Sequence, residues 1–137
     1  MELVHIDNLH LTASRLAKDP RNRGPLDIFN GHGKITGPCG DTMEFWVNVE
    51  NGIITNVSFT TTGCDPSLAA GSMTTCLARG KTLEEAKAIR QQDVLNALDG
   101  LPEDHQHCAL LAANTLAAAC DHYLTKQKIE GGSRSGK

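Results

Sequence analysis

Apolar and polar residues alternate with a period of two through the middle of the chain. Met43, Phe45, Val47 and Val49 interleave with Thr42, Glu44, Trp46 and Asn48, which reads as a half-buried strand. After Glu50-Asn51-Gly52 the alternation resumes, with Ile53, Thr55, Val57, Phe59 and Thr61 on one face. Asn-Gly between two such runs signals a β-hairpin. A three-residue loop pairs Val49 with Ile53, Phe45 with Val57 and Met43 with Phe59, matching apolar with apolar across the strands. The same register sets Cys39 opposite Gly63 and makes Cys64 its neighbour. A short strand near Lys34 to Thr36 supplies the third member that a lone hairpin needs.

Beyond the hairpin the period lengthens. Asp65 caps a helix with Pro66 at its first position, and Gly80 ends it. Ala69, Met73, Cys76 and Leu77 repeat along this helix at helical spacing. Thr82-Leu83-Glu84-Glu85 is a capping-box start for a short helix, and residues 93–98 predict another. From Asp104 to Leu124 the chain is apolar over most of its circumference, which predicts a long buried helix lying on the sheet. Residues 1–17 read as a helical or mobile arm and residues 126–137 as a disordered tail, leaving one domain over 18–125. These elements make an α+β fold, a small antiparallel three-stranded sheet packed against helices, the last of them long.

Composition narrows the chemistry. A formal charge of −3 over 137 residues, with no basic run, gives no footprint for nucleic acid. No segment has the length and apolarity of a membrane span, and the start Met-Glu-Leu-Val-His-Ile-Asp has no secretory pattern, so a cytoplasmic location is expected. Five cysteines, an odd number, argue against a disulfide framework there and leave metal binding or thiol chemistry.

Cys39, Gly40 and Asp41 share a tight turn at the head of the first hairpin strand, so a thiolate and a carboxylate leave it together. Cys64 stands before a helix N-terminus, whose unpaired N–H groups suit an anionic sulfur. Cys108 opens the long helix just after His105-Gln106-His107. If that helix end meets the hairpin, three sulfurs, a carboxylate and one or two imidazoles converge, compatible with tetrahedral zinc or an iron–sulfur cluster. Cys76 and Cys120 read as core residues. His5, His10 and His32 read as surface residues, and His122 as a solvated residue at a helix end. Asp41 alone reads equally well as a turn-capping side chain.

From about Lys18 to Leu124 the chain resembles the IscU-type, or NifU N-terminal-like, iron–sulfur cluster scaffolds. The resemblance rests on Pro20-Arg21-Asn22, Cys39-Gly40-Asp41, the Asn51-Gly52 hairpin, Gly63-Cys64, Ser67, the stretch Gly80 to Ala86, Leu101-Pro102 and His107-Cys108-Ala109. It implies a two-layer α/β sandwich. It also implies a scaffold rather than an enzyme, one that builds a labile 2Fe-2S cluster from iron and desulfurase-derived sulfur and transfers it to apo-proteins. By the same resemblance Cys39, Cys64 and Cys108 are the sulfur ligands, Asp41 is the residue linked to lability, and His107 is an alternative ligand. His105 is an additional candidate ligand, and zinc can occupy the same site. The partners implied are a cysteine desulfurase and apo iron–sulfur acceptor proteins. The alternative is a zinc-containing sulfurtransferase in which Cys108 accepts the persulfide. The long insertion of the zinc-dependent SufU branch between the second and third cysteines is absent. Where many members carry Leu-Pro-Pro-Val-Lys for an Hsp70-type chaperone, this chain has Leu101-Pro102-Glu103-Asp104-His105, so that partner is not implied.

Overall fold

A computed structural model describes residues 15–16 and 21–135, with side chains described up to 127. Three antiparallel strands, β1 (Gly31–Thr36), β2 (Thr42–Glu50) and β3 (Ile53–Thr61), form one sheet in the order β1-β2-β3. Helices α1 (Asp65–Ala78), α2 (Leu83–Lys87), α3 (Gln91–Leu98) and α4 (His107–Ser135) follow, with a short 3-10 turn at Glu103–His105 ahead of α4. The expected fold class is the one observed. The arm expected over residues 1–17, with His5 and His10, lies outside the described residues except for Arg15 and Leu16. Those two are helical, and Leu16 packs against the core.

The hairpin forms where the alternation places it, but in a different register. Glu50 pairs with Ile53, so the loop is the two-residue Asn51-Gly52 turn, with φ of 54° and 78°. Positive φ at both positions matches the twist of the flanking strands. A bulge then leaves Thr55 unpaired, since Val49 faces Ile54 and Asn48 faces Asn56. The bulge flips the phase of β3, so that Ile54 rather than Ile53 joins Val57 and Phe59 in the core. Phe45 consequently faces Phe59, with ring centroids 5.9 Å apart, and Met43 faces Thr61.

The apolar sheet face, with Met43, Phe45, Val47, Val57 and Phe59 buried, packs against α1 and α4. Glycines at 31 and 33 bring β1 against the α4 backbone. A Cβ at Gly33 would sit 2.6 Å from the Thr115 carbonyl oxygen and 2.7 Å from the Ala119 nitrogen. His122 is exposed as expected but does not stand at a helix end. It lies within α4, and its Nδ1 accepts the His32 main-chain N–H at 3.0 Å. The His32 ring pairs with Glu44 at 2.8 Å and lies 5.3 Å from the ring of Trp46, which is buried although it stands on the polar face of β2. Residues 21–24 flank β3, with Phe59 N–H donating to the Asn22 carbonyl at 3.0 Å and Gly24 N–H to the Phe59 carbonyl at 2.8 Å.

In α1 the helical spacing is as expected but the buried face is another one. Ala69 is buried as expected, but Ser67, Ala70, Gly71, Thr74, Thr75 and Ala78 point inward with it, whereas Cys76 is exposed and Met73 and Leu77 are only half-buried. Close approach of the helix to Phe59 selects small residues, and a Cβ on Gly71 would overlap that ring. Cys76 is therefore not a core residue. Cys120 is, with no exposure. Thr82 and Glu85 form the capping box, Glu85 N–H to Thr82 Oγ1 at 3.1 Å and Thr82 N–H to Glu85 Oε1 at 3.0 Å. The helix α4 starts at His107 rather than Asp104. It runs past Leu124 to Ser135, through the segment expected to be a disordered tail, where Lys126, Gln127, Lys128 and Glu130 are good helix formers. No helix among the described residues is long and apolar enough to cross a membrane.

Candidate metal centre

The chemistry-bearing residues come from three chain ends that the fold brings together: the β1–β2 connection, the entry to α1 and the start of α4. The connection is tight, with Gly37 N–H donating to the Asp41 carbonyl at 2.8 Å and Gly40 N–H to the Gly37 carbonyl at 3.0 Å. Cys39 and Asp41 are thereby held at its rim. The start of α4 is fixed against α3 by Gln91, whose Nε2 donates to the Gln106 carbonyl at 3.0 Å. One ligating atom each from Cys39, Asp41 and His107 lie within 4.8 Å of one another, with Cys39 exposed and the other two half-buried.

Cys108 adjoins this trio from beneath. Its Sγ is 3.8 Å from His107 Nε2 and 3.3 Å from Ser67 Oγ, and the residue is 1% exposed. Burial pushes the Cys108 thiol above its ordinary value. The Ser67 hydrogen bond opposes that rise, and the negative charge of Cys64, Asp41 and Cys39 adds to it. The buried Cys108 thiol therefore holds its proton more firmly than an exposed one.

Cys64 is exposed and is itself the N-cap of α1, one position earlier than the expected cap at Asp65. Its carbonyl accepts the N–H groups of Ser67 at 2.9 Å and Leu68 at 3.1 Å. It stands outside the 4.8 Å trio. So does His105, whose ring lies 6.3 Å from that of His107 and whose Nε2 is 3.8 Å from an Asp104 carboxylate oxygen. The changed register also alters what faces what. Asp41, not Cys39, approaches Gly63: a Cβ there would lie 2.7 Å from Asp41 Oδ2 and 2.8 Å from Ser67 Cβ. Only a residue without a side chain lets both groups occupy that space.

Ser67 is the residue that reasoning about chemistry passed over. It is fully buried, and its Oγ stands 3.5 Å from Asp41 Oδ2 as well as 3.3 Å from Cys108 Sγ. A small polar residue at the third helical position after a cysteine, on the face carrying Ala70, Thr74 and Ala78, was the available signal.

The family described as "NifU-like N terminal domain" matches residues 11–130. The chain belongs to this family. Among its relatives, the iron-sulfur cluster assembly scaffold protein IscU 1 of Archaeoglobus fulgidus is 40% identical over 110 residues, covering 80% of this chain and 72% of that protein. The scaffold protein IscU of Haemophilus influenzae is 39% identical over 115 residues, covering 80% and 90%. Among solved structures, the N-terminal NifU-like protein of Brucella abortus superimposes with a TM-score of 0.68 at 18% identity, covering 88% of this chain and 98% of that one. That likeness concerns the fold, and it agrees with the α+β arrangement of this NifU-like chain.

Proposed function

We propose that this chain is an iron–sulfur cluster assembly scaffold. It builds a labile 2Fe-2S cluster from iron and the sulfur of a cysteine desulfurase, and passes it to apo-proteins in the cytoplasm. The cluster is cargo. Cys39, Cys64 and Cys108 supply sulfur, while Asp41 and His107 supply the harder oxygen and nitrogen donors that hold iron less firmly than a fourth thiolate. The observation that carries this reading is the meeting of Cys39, Asp41 and His107 within 4.8 Å, with Cys108 3.8 Å from His107, in a member of the NifU-like family. The relatives' names as scaffold proteins support it.

The same sulfur, nitrogen and oxygen donors suit tetrahedral zinc, so zinc is a competing occupant. A zinc sulfurtransferase is the less favoured function. A persulfide acceptor works as an exposed thiolate, and Cys108 is buried with its thiol pushed up. Anaerobic reconstitution with iron, cysteine and a desulfurase tests the scaffold reading. The visible absorption of a cluster is expected in the wild type and is expected to vanish in Cys39→Ala, Cys64→Ala and Cys108→Ala. Stoichiometric zinc with no cluster formed under those conditions would sink it.

A further inference from the structure

Ser67 is not a ligand in the proposed site, yet its hydroxyl is placed between two residues that are. Its main-chain N–H is tied to the Cys64 carbonyl at 2.9 Å, which fixes it in the first turn of α1. Its Oγ lies 3.3 Å from Cys108 Sγ and 3.5 Å from Asp41 Oδ2. A serine hydroxyl has one proton to donate, so it serves one of these acceptors at a time. The sulfur is the better placed, because 3.5 Å is long for a bond between two oxygens, whereas 3.3 Å is comfortable for the larger sulfur. Once Cys108 has given up its proton to bind iron, the sulfur can only accept. The hydroxyl is then necessarily the donor. Ser67 is 0% exposed and Cys108 1%, so water does not stand ready to replace this bond.

We propose that Ser67 is a positioning residue that donates a hydrogen bond to the Cys108 sulfur while that sulfur holds iron–sulfur cargo. The cargo half of the inference rests on the scaffold reading. The contact half rests on the geometry alone. Hydrogen bonds to ligand sulfurs are one of the protein's levers on cluster potential, because they draw charge from the thiolate and favour the reduced, more negative state. The same withdrawal weakens the iron–sulfur bond. Ser67 therefore raises the reduction potential of the cargo and loosens the grip on it from the buried side of the site, opposite the exposed Cys39.

The experiment has two arms. In the metal-free protein, the infrared S–H stretching band of Cys108 is identified by its loss in Cys108→Ala. Ser67→Ala, which removes one oxygen atom, is expected to move that band, and Ser67→Thr, which keeps the hydroxyl, to return it towards the wild-type position. A band that stays in place in Ser67→Ala removes the contact and overturns the inference. In the reconstituted protein, Ser67→Ala is expected to shift the cluster potential to more negative values and to slow loss of the visible absorption to a chelator. Ser67→Thr is expected to reverse both changes. A cluster with the same potential in wild type and Ser67→Ala overturns the inference and leaves the scaffold reading standing. A wild-type protein that builds no cluster sinks the scaffold reading instead, while the S–H band still decides the Ser67 contact.

Discussion

Gly63→Ala is the substitution that most directly probes how the site is assembled. A Cβ at this position would lie 2.7 Å from Asp41 Oδ2 and 2.8 Å from Ser67 Cβ, against about 3.5–4.0 Å for an unstrained contact. Two neighbours must therefore give way by the better part of an ångström. Asp41 is half-buried on a connecting turn and can swing outward. Ser67 is buried and bonded into the first turn of α1, and it can move only with the helix. Overpacking of this kind costs about 1–3 kcal/mol. For a domain of this size that is a fall in Tm of roughly 3–10 °C. Displacing Asp41 from the trio with Cys39 and His107 should also weaken zinc or cobalt binding by about 10–100-fold, the usual effect of disturbing the groups that orient a metal's ligands. Gly37→Ala is the control, because its nearest neighbour would be Leu111 Cδ2 at an ordinary 3.5 Å. It should stay within about 0.5 kcal/mol of wild type. Thermal unfolding by circular dichroism and competition titration of the metal read both quantities. If Gly63→Ala melts with the wild type and binds metal as tightly, the approach of Asp41 to Gly63 is wrong, and with it the register that produces it.

Thr82→Ala removes the Thr82 half of the capping box and should cost about 1 kcal/mol in urea denaturation, with cluster formation untouched because α2 carries no site residue. In the native protein Cys76 should alkylate readily and Cys120 should not, as peptide mass mapping would show; equal labelling of the two would put α1 on the wrong face. Burial pushes the Cys120 thiol from its ordinary 9.0 up to about 11, so between those pH values the folded state keeps a proton that the unfolded chain releases. Stability should accordingly fall as pH rises through this window, by roughly 2–3 kcal/mol in all, and Cys120→Ala should flatten that fall; parallel slopes for the two proteins would refute it.

Local signals in this chain carried far because each has a local cause. Asn51-Gly52 demands positive φ, Thr82 and Glu85 satisfy each other's backbone, and Pro66 accepts only the beginning of a helix. The register was not legible, because Ile53 and Ile54 are equally good strand residues and either can be the inward one. Choosing Ile53 gives a clean alternation with Thr55 and Val57. The fold instead takes the tighter turn and restores the phase with a bulge at Thr55, a trade that leaves no mark in composition. The buried face of α1 was hidden for a related reason. Met73, Cys76 and Leu77 are the more hydrophobic stripe, but a helix that must approach Phe59 closely turns its small residues inward, and that requirement belongs to the sheet.

The shifted register decides more than which rings touch. Had Cys39 faced Gly63, two cysteines would have stood side by side at one sheet end with the carboxylate turned aside. With Asp41 facing Gly63 instead, the carboxylate enters the site beside Ser67 and within reach of Cys39 and His107, while Cys64 caps α1 at the rim. Thiolates bind iron strongly, and a carboxylate among them dilutes the grip. A scaffold that must release its cargo needs the weaker donor built in as firmly as the stronger ones. Gly63 makes that room, since the space a side chain would fill there is taken by Asp41 and Ser67 together. In the proposed site each of those two bears on the hold from its own side, Asp41 as a weak donor and Ser67 through the sulfur of Cys108.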